Sequence, residues 1–195
     1  AVIVASDIAS AGLDWDTPAS AAIFGDGAAA ICVEATDDPS GPGLLSRGFE
    51  TYGEGKDLAT LKSGGTRIRI DHGLEALTEG ARFHMDAFGI FKAAARSLPR
   101  LIDQVLGEAG LTRETVDLVV CHQASAPGVE HVRRLMGGDL ARVVDIFATH
   151  GNQIAASLPT ALVEAKARGL VRPGSTVLML GTAAGISAAS MVLRT

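Results

Sequence analysis

Two short segments carry the side chains best suited to polarise a carbonyl: Cys121-His122-Gln123-Ala124-Ser125 and His150-Gly151-Asn152-Gln153-Ile154-Ala155-Ala156-Ser157. His122 closely follows the apolar run Val116–Val120, and Asn152 follows Val143–Phe147. Both therefore fall where a strand gives way to small residues and a helix-like stretch, the edge at which α/β folds place chemistry. An imidazole there can donate its Nε2–H to a carbonyl oxygen as negative charge develops on it. An asparagine amide is a neutral donor whose state does not depend on pH, and Gly151 lets the backbone turn tightly beside it. The competing readings are a histidine that caps a helix and a turn asparagine in left-handed geometry. The occurrence of both, with Asn152 thirty positions after His122 and just before an Ala-Ala-Ser helix start, favours one shared site.

The remaining chemical groups carry less. Cys121 neighbours His122, but adjacent strand residues face opposite sides of a sheet, so it is expected to point away from the site and not to act as a nucleophile. Cys32 is a weaker candidate still. His150 is expected behind the site, and His72, His84 and His131 form no metal-ligand spacing, so no metal site is expected. Arg133 and Arg134 lie on the helix after His122, where they could meet a phosphate or form a solvated face.

The elements that must position these residues are legible from pattern. Ala1–Ser6 and Ala28–Val33 read as strands, the second entered through Gly25-Asp26-Gly27, with a helix start at Thr17-Pro18-Ala19-Ser20 between them. Asp37–Gly43 is a turn or loop, and Leu44–Tyr52 is another strand. Gly53–Gly80 is expected to be an irregular crossing, without the spacing of a phosphate-binding loop. Phe88, Phe91, Ala95, Leu98, Ile102, Val105 and Leu106 recur at helical intervals, predicting one long helix or two bent around Pro99. Then come a strand at Asp117–Cys121, a helix at Pro127–Met136, a strand at Val143–Phe147, a helix at Ser157–Arg168 and a strand at Thr176–Leu180, followed by Gly181-Thr182-Ala183-Ala184-Gly185. This alternation predicts a layered α/β domain.

Composition sets outer bounds. The chain has 195 residues, 47% apolar and 20% charged, enough to bury a substantial core. Twenty-three glycines and a single Trp and Tyr point to close packing through small residues. The net charge of −5 offers no field for a nucleic-acid backbone, so nucleic acid is not an expected partner. Both cysteines lie in apolar strand-like runs, which predicts buried reduced thiols and a cytoplasmic setting. No apolar run reaches the length of a membrane span. Ala1–Asp7 lacks an initiator Met and a basic start, and reads as a strand entered in mid-domain, which predicts a piece of a longer protein.

With His122, Asn152 and the segment Gly181–Gly185 in these places, the chain resembles the C-terminal portion of the β-ketoacyl synthase III family of the thiolase superfamily. Phe24-Gly25-Asp26-Gly27-Ala28-Ala29-Ala30 resembles a structural turn of that family, and Phe83-His84-Met85-Asp86 with Phe91-Lys92 resembles the start of its second half. The resemblance implies a thiolase-like layered αβαβα fold, with residues 1–80 the end of the first half and a crossover, and residues 81–195 a nearly complete second half. It implies a Claisen-type condensation of two acyl thioesters through an acylated cysteine, with His122 and Asn152 stabilising the enolate. That cysteine belongs in sequence preceding Ala1. Ser125, Gly151, Thr182, Arg133 and Arg134 are the implied substrate-binding residues, the arginines toward a phosphopantetheine phosphate or an acidic carrier protein. No cofactor is implied beyond acyl-CoA or acyl carrier protein as substrate, and a homodimer is implied, the edge of Ala1–Ser6 being its expected seam. Ser125 and Thr182-Ala183-Ala184-Gly185 depart from the fatty-acid initiating enzymes, and the His-Gln-Ala-Ser form is similar to enzymes that join two long-chain acyl-CoA molecules head to head in olefin biosynthesis. Acyl transfer to an oxygen or nitrogen nucleophile, and a non-catalytic subunit of a heterodimer, are the alternatives.

Overall fold

The computed structural model describes residues 1–195, with side chains described for all but Ala19 and Ser20. Strand β1 (Val2–Asp7), helix α1 (Pro18–Ala21) and strand β2 (Gly27–Cys32) come first; β1 and β2 form an antiparallel ribbon with Val2 opposite Cys32. Strands β3 (Gly43–Gly55) and β4 (Ala59–Thr60), helix α2 (Leu74–Gly80) and strand β5 (His84–Met85) lead into α3 (Ala87–Glu108). The remainder runs β6 (Leu118–Cys121), α4 (Ala126–Leu135), β7 (Val143–Val144), α5 (Phe147–His150), α6 (Ser157–Ala167), β8 (Thr176–Ala183) and β9 (Gly185–Arg194).

The main sheet has the order β3-β9-β8-β6-β7, in which β6, β7 and β8 are mutually parallel and β9 is antiparallel to both β8 and β3. Every residue of β6 is buried, as a parallel strand covered on both faces requires. On one face Leu101, Ile102 and Val105 of α3 and Val129 of α4 pack over Val119, Cys121 and Leu178. On the other, Ala161 and Ala165 of α6 lie against Leu118, Val120, Val144 and Val177. The alanines of α6 leave little between helix and sheet, which is the use the chain makes of its small residues.

Three features differ from the pattern-based reading. The apolar run at Val143 forms a strand only at Val143–Val144, because the Asp145 carboxylate accepts the Phe147 N–H at 3.0 Å and turns the chain into α5. Strand β9 was not anticipated: its inward residues Ile186, Ala188, Ser190 and Val192 alternate with the rest, but small and hydroxyl side chains hide the period of two from hydropathy. Of the two readings of the Phe88–Leu106 pattern, the single helix holds, α3 being continuous over 22 residues through Pro99. Cys32 is exposed, contrary to the expected buried thiol, since alternate residues of β2 face outward. Among the described residues no helix is long and apolar enough to cross a membrane.

Candidate active site

His122 is placed by the residues on either side of it. Its N–H donates to the Leu180 carbonyl at 2.7 Å, carrying the β6–β8 pairing one residue past the strand end. Gln123 is fully buried and acts as a clamp. Its Nε2 donates to the Cys121 carbonyl (2.9 Å) and the Val144 carbonyl (3.2 Å), while its Oε1 accepts the Ile146 N–H (3.1 Å). The side chain thereby pairs the backbone groups that β6 and β7 leave open where they part. Two residues on, Ser125 caps α4, its Oγ accepting the Gly128 N–H at 3.1 Å. The segment Cys121–Ser125 is thus strand end, half-buried imidazole, clamp and cap in succession. The role of Gln123 was missed from sequence; a buried amide between two strand ends leaves no hydropathy signal.

Asn152 is held by the N-terminal part of the chain. Its N–H donates to the Ile23 carbonyl (2.7 Å) and its carbonyl accepts the Gly25 N–H (3.1 Å). Its side-chain Oδ1 accepts the Ile154 N–H at 2.9 Å, which commits the oxygen and leaves the Nδ2 protons as the amide's free donors. Gly151 has φ +65°, so the turn needs glycine there. Gln153 ties the same loop to the Asp26 carbonyl at 2.9 Å, and Asp7 accepts the N–H groups of Ala155 and Ala156 at 3.0 and 3.2 Å. Neither Asp7 nor Gln153 was singled out from sequence, because each works through backbone partners far away in the chain.

His122 and Asn152 come together on the wall of one cavity of about 600 Å³. Ser125 and Thr182 line it too, whereas most of the wall is hydrocarbon from residues such as Phe24, Phe83, Ile90, Phe91 and Leu98. Burial in this wall lowers the His122 pKa to about 4, so the ring is neutral at pH 7 and one nitrogen carries a proton. Cys121 also borders the cavity, with its side chain buried in the core beneath α3 and α4. Burial, followed by the nearby Asp145 carboxylate, pushes its thiol up to about 12. Gly151 lies beside the wall as the turn before Asn152. Arg133 and Arg134 are not part of the wall: Arg133 donates to Asp145 at 3.0 Å, and Arg134 is exposed with Glu130 at 3.9 Å. His150 is outside the wall, its Nδ1 2.9 Å from Thr149 Oγ1. Among the described residues no group of three or more His, Cys, Asp or Glu could hold a metal ion.

A mixed sheet covered by helices on both faces, with His122 just past the end of β6 and Asn152 beyond α5 on one cavity wall, is a thiolase-like domain. The profile described as 3-Oxoacyl-[acyl-carrier-protein (ACP)] synthase III matches residues 1–53, and its C-terminal counterpart matches residues 106–195. The β-ketoacyl-[acyl-carrier-protein] synthase III of Dinoroseobacter shibae is 33% identical over 196 residues, covering 99% of this chain and 58% of that protein. The crystal structure of 3-oxoacyl-(acyl carrier protein) synthase III from Pseudomonas aeruginosa is 28% identical, with a TM-score of 0.86 over 99% of this chain and 57% of the other. OleA of Xanthomonas campestris, in its H285N form, shares the fold with a TM-score of 0.80 at 20% identity, over 100% of this chain and 57% of that one. The chain belongs to the 3-oxoacyl-[acyl-carrier-protein] synthase III family. It spans a little under three fifths of the length of the relatives it matches.

Proposed function

We propose that the whole protein joins two acyl thioesters in a Claisen-type condensation that yields a β-keto product. A cysteine thiol outside residues 1–195 takes the first acyl group and releases the carrier thiol. The second thioester loses carbon dioxide or an α-proton, its α-carbon attacks the acyl-cysteine carbonyl, and the cysteine thiolate leaves. His122 and Asn152 donate hydrogen bonds to the oxygen that carries the enolate charge. The observation that carries this reading is the placing of two neutral donors on one largely apolar cavity wall, where water competes little and each bond to a developing oxyanion is strong.

Neither thiol of the chain suits the nucleophilic step. Cys121 stays protonated at neutral pH, and Cys32 lies on β2 outside the cavity wall. Ser125 caps α4, a task asparagine performs equally, so it does not distinguish a fatty-acid initiating enzyme from a head-to-head acyl-CoA enzyme. The apolar wall favours an alkyl chain, carried by CoA or by acyl carrier protein. Arg134 is the more accessible of the two helix arginines for a carrier phosphate, Arg133 being held by Asp145. We further read residues 1–80 as the end of one thiolase half with its crossover and 81–195 as the second half, in a protein that pairs as a homodimer along the β1 edge. Gel filtration at the mass of a single copy would refute the pairing.

Intact mass before and after incubation with decanoyl-CoA, and product analysis with a second thioester, test the central proposal. The full protein is expected to gain one decanoyl group and release a β-keto product. Its His122→Ala variant is expected to gain the acyl group but make no carbon–carbon bond. Undiminished condensation by that variant, or a product acylated on oxygen or nitrogen, overturns the reading.

A further inference from the structure

The cavity runs from a polar end, marked by His122, Asn152 and Ser125, to a hydrocarbon end. Helix α4 starts at the polar end, its Ser125 cap three residues beyond His122. Helix α3 starts there too: Phe83, just ahead of it, sets its ring edge-on to Phe24 with centroids 5.8 Å apart, and Phe24 is bridged to Asn152. The two helices leave that end together and are tied at the other, where Arg113 donates to the Pro99 carbonyl at 3.2 Å and the Leu135 carbonyl at 3.0 Å. Leu98 and Val132, the last wall residues of each helix, lie just short of the tie. Between the ends, the α3 wall positions Ala87, Ile90, Phe91, Ala94, Ala95 and Leu98 share one helix face over roughly 16 Å, and none has a polar side chain. On α4 the His131 ring stands edge-on to Phe91, centroids 5.4 Å apart, with its Nε2 buried.

Between Ser125 and His131 the α4 wall is Gly128, in the first turn of the helix. Nothing in the backbone requires glycine there, since its φ is not in the left-handed region. Beyond its chain neighbours and its own helix backbone, a Cβ at this position would meet within 4 Å the Ser125 Oγ alone, at 3.2 Å. Glycine in a helix costs stability relative to alanine, so what the chain gains at Gly128 is open volume in the cavity.

We propose that Gly128 is a specificity-determining residue, whose missing side chain opens the hydrocarbon end of the cavity to a long alkyl chain of the acyl thioester. The inference rests on the acyl-thioester reading of the cavity. The alkyl chain, and not the carrier arm, is the part that matches this stretch of wall. A pantetheine arm bears two amides, and their N–H and carbonyl groups would go unpaired against the α3 hydrocarbon, whereas methylene groups leave nothing unsatisfied there. A side chain at position 128 would stand in the path of the chain between the polar end and Leu98.

Equilibrium binding to the full protein tests this without requiring turnover. The probes are the non-transferable thioethers ethyl-CoA, hexyl-CoA and decyl-CoA, which share the carrier arm and differ in the chain. Wild type is expected to bind more tightly as the chain lengthens. Gly128→Leu is expected to weaken decyl-CoA roughly tenfold or more and to leave ethyl-CoA within about twofold. Gly128→Ala, which adds a single methyl and improves helix propensity, is expected to keep the denaturation midpoint at or above wild type and to show the same chain-length-dependent loss in smaller measure. Should Gly128→Leu fail to fold, Gly128→Ala decides by the same criterion. A loss of equal size for all three probes puts the carrier arm at Gly128 and overturns the proposal, as does decyl-CoA binding that the substitutions leave unchanged. A wild type whose affinity does not rise from ethyl-CoA to decyl-CoA overturns the proposal alone, and one that binds none of the probes overturns the acyl-thioester reading with it. A chain-length preference that Gly128→Leu removes, in a protein that takes no acyl group from decanoyl-CoA, upholds the role of Gly128 and removes the catalytic reading.

Discussion

The carbonyl oxygen of His150 lies 1.9 Å from where a Cβ on Gly25 would stand. No side chain fits there, so the Phe24-Gly25-Asp26-Gly27 turn and the Asn152 loop approach at backbone distance, and Asn152 exchanges its N–H and carbonyl bonds with Ile23 and Gly25 across the gap. Gly25→Ala is expected to force these segments apart, costing about 2–3 kcal/mol by denaturant unfolding. Condensation should fall far more than acylation, because Asn152 is displaced. A variant with unchanged stability and product rate would show that the approach is not needed.

Gln123 makes a second prediction. Gln123→Leu keeps the volume but leaves the Ile146 N–H and the carbonyls of Cys121 and Val144 without this partner in the core. A loss of about 2–4 kcal/mol is expected, read from the denaturation midpoint. Amide hydrogen exchange should accelerate first at Ile146. Protection there equal to wild type would argue against the clamp.

The acid side of the stability profile should carry His122. Its folded pKa of about 4 lies below the unfolded value of 6.5, so the unfolded chain binds the proton more readily. The resulting stability is fully present above pH 6.5 and is lost as pH falls toward 4, up to about 3 kcal/mol in all. His122→Gln should flatten that segment of the profile. Histidine ring resonances followed by NMR should show His122 remaining neutral at pH 5.5, and a midpoint near 6.5 would contradict the buried setting.

The two thiols should differ in reactivity. At pH 8 a thiol with a pKa near 12 is ionised only to roughly one part in ten thousand, and Cys121 is also shut inside the core. Peptide mapping after brief iodoacetamide treatment is expected to find Cys32 alkylated and Cys121 untouched until denaturant is added. Cys121→Ala should leave acyl uptake intact; loss of uptake in a folded Cys121→Ala protein would reopen its candidacy as nucleophile.

Periodicity and punctuation were enough to read β6, α4, α6 and β8 and to put His122 at a strand end, because those signals are local: apolar runs closed by small residues, and helices closed by glycine; Asn152 instead follows the short helix α5. Local signals could not show that β9 inserts between β3 and β8, since its inward alanine and serine residues carry little hydropathy contrast. Nor could they show that Asp145 shortens β7 or that Cys32 faces outward. What the amino-acid sequence determined by itself was the chemical repertoire and the order of elements. Tertiary structure decided which groups share a space: it set Asn152 against Ile23 and Gly25 and closed a hydrocarbon wall around His122. The reason is physical, for desolvation and close backbone approach depend on residues more than a hundred positions apart that only packing brings together.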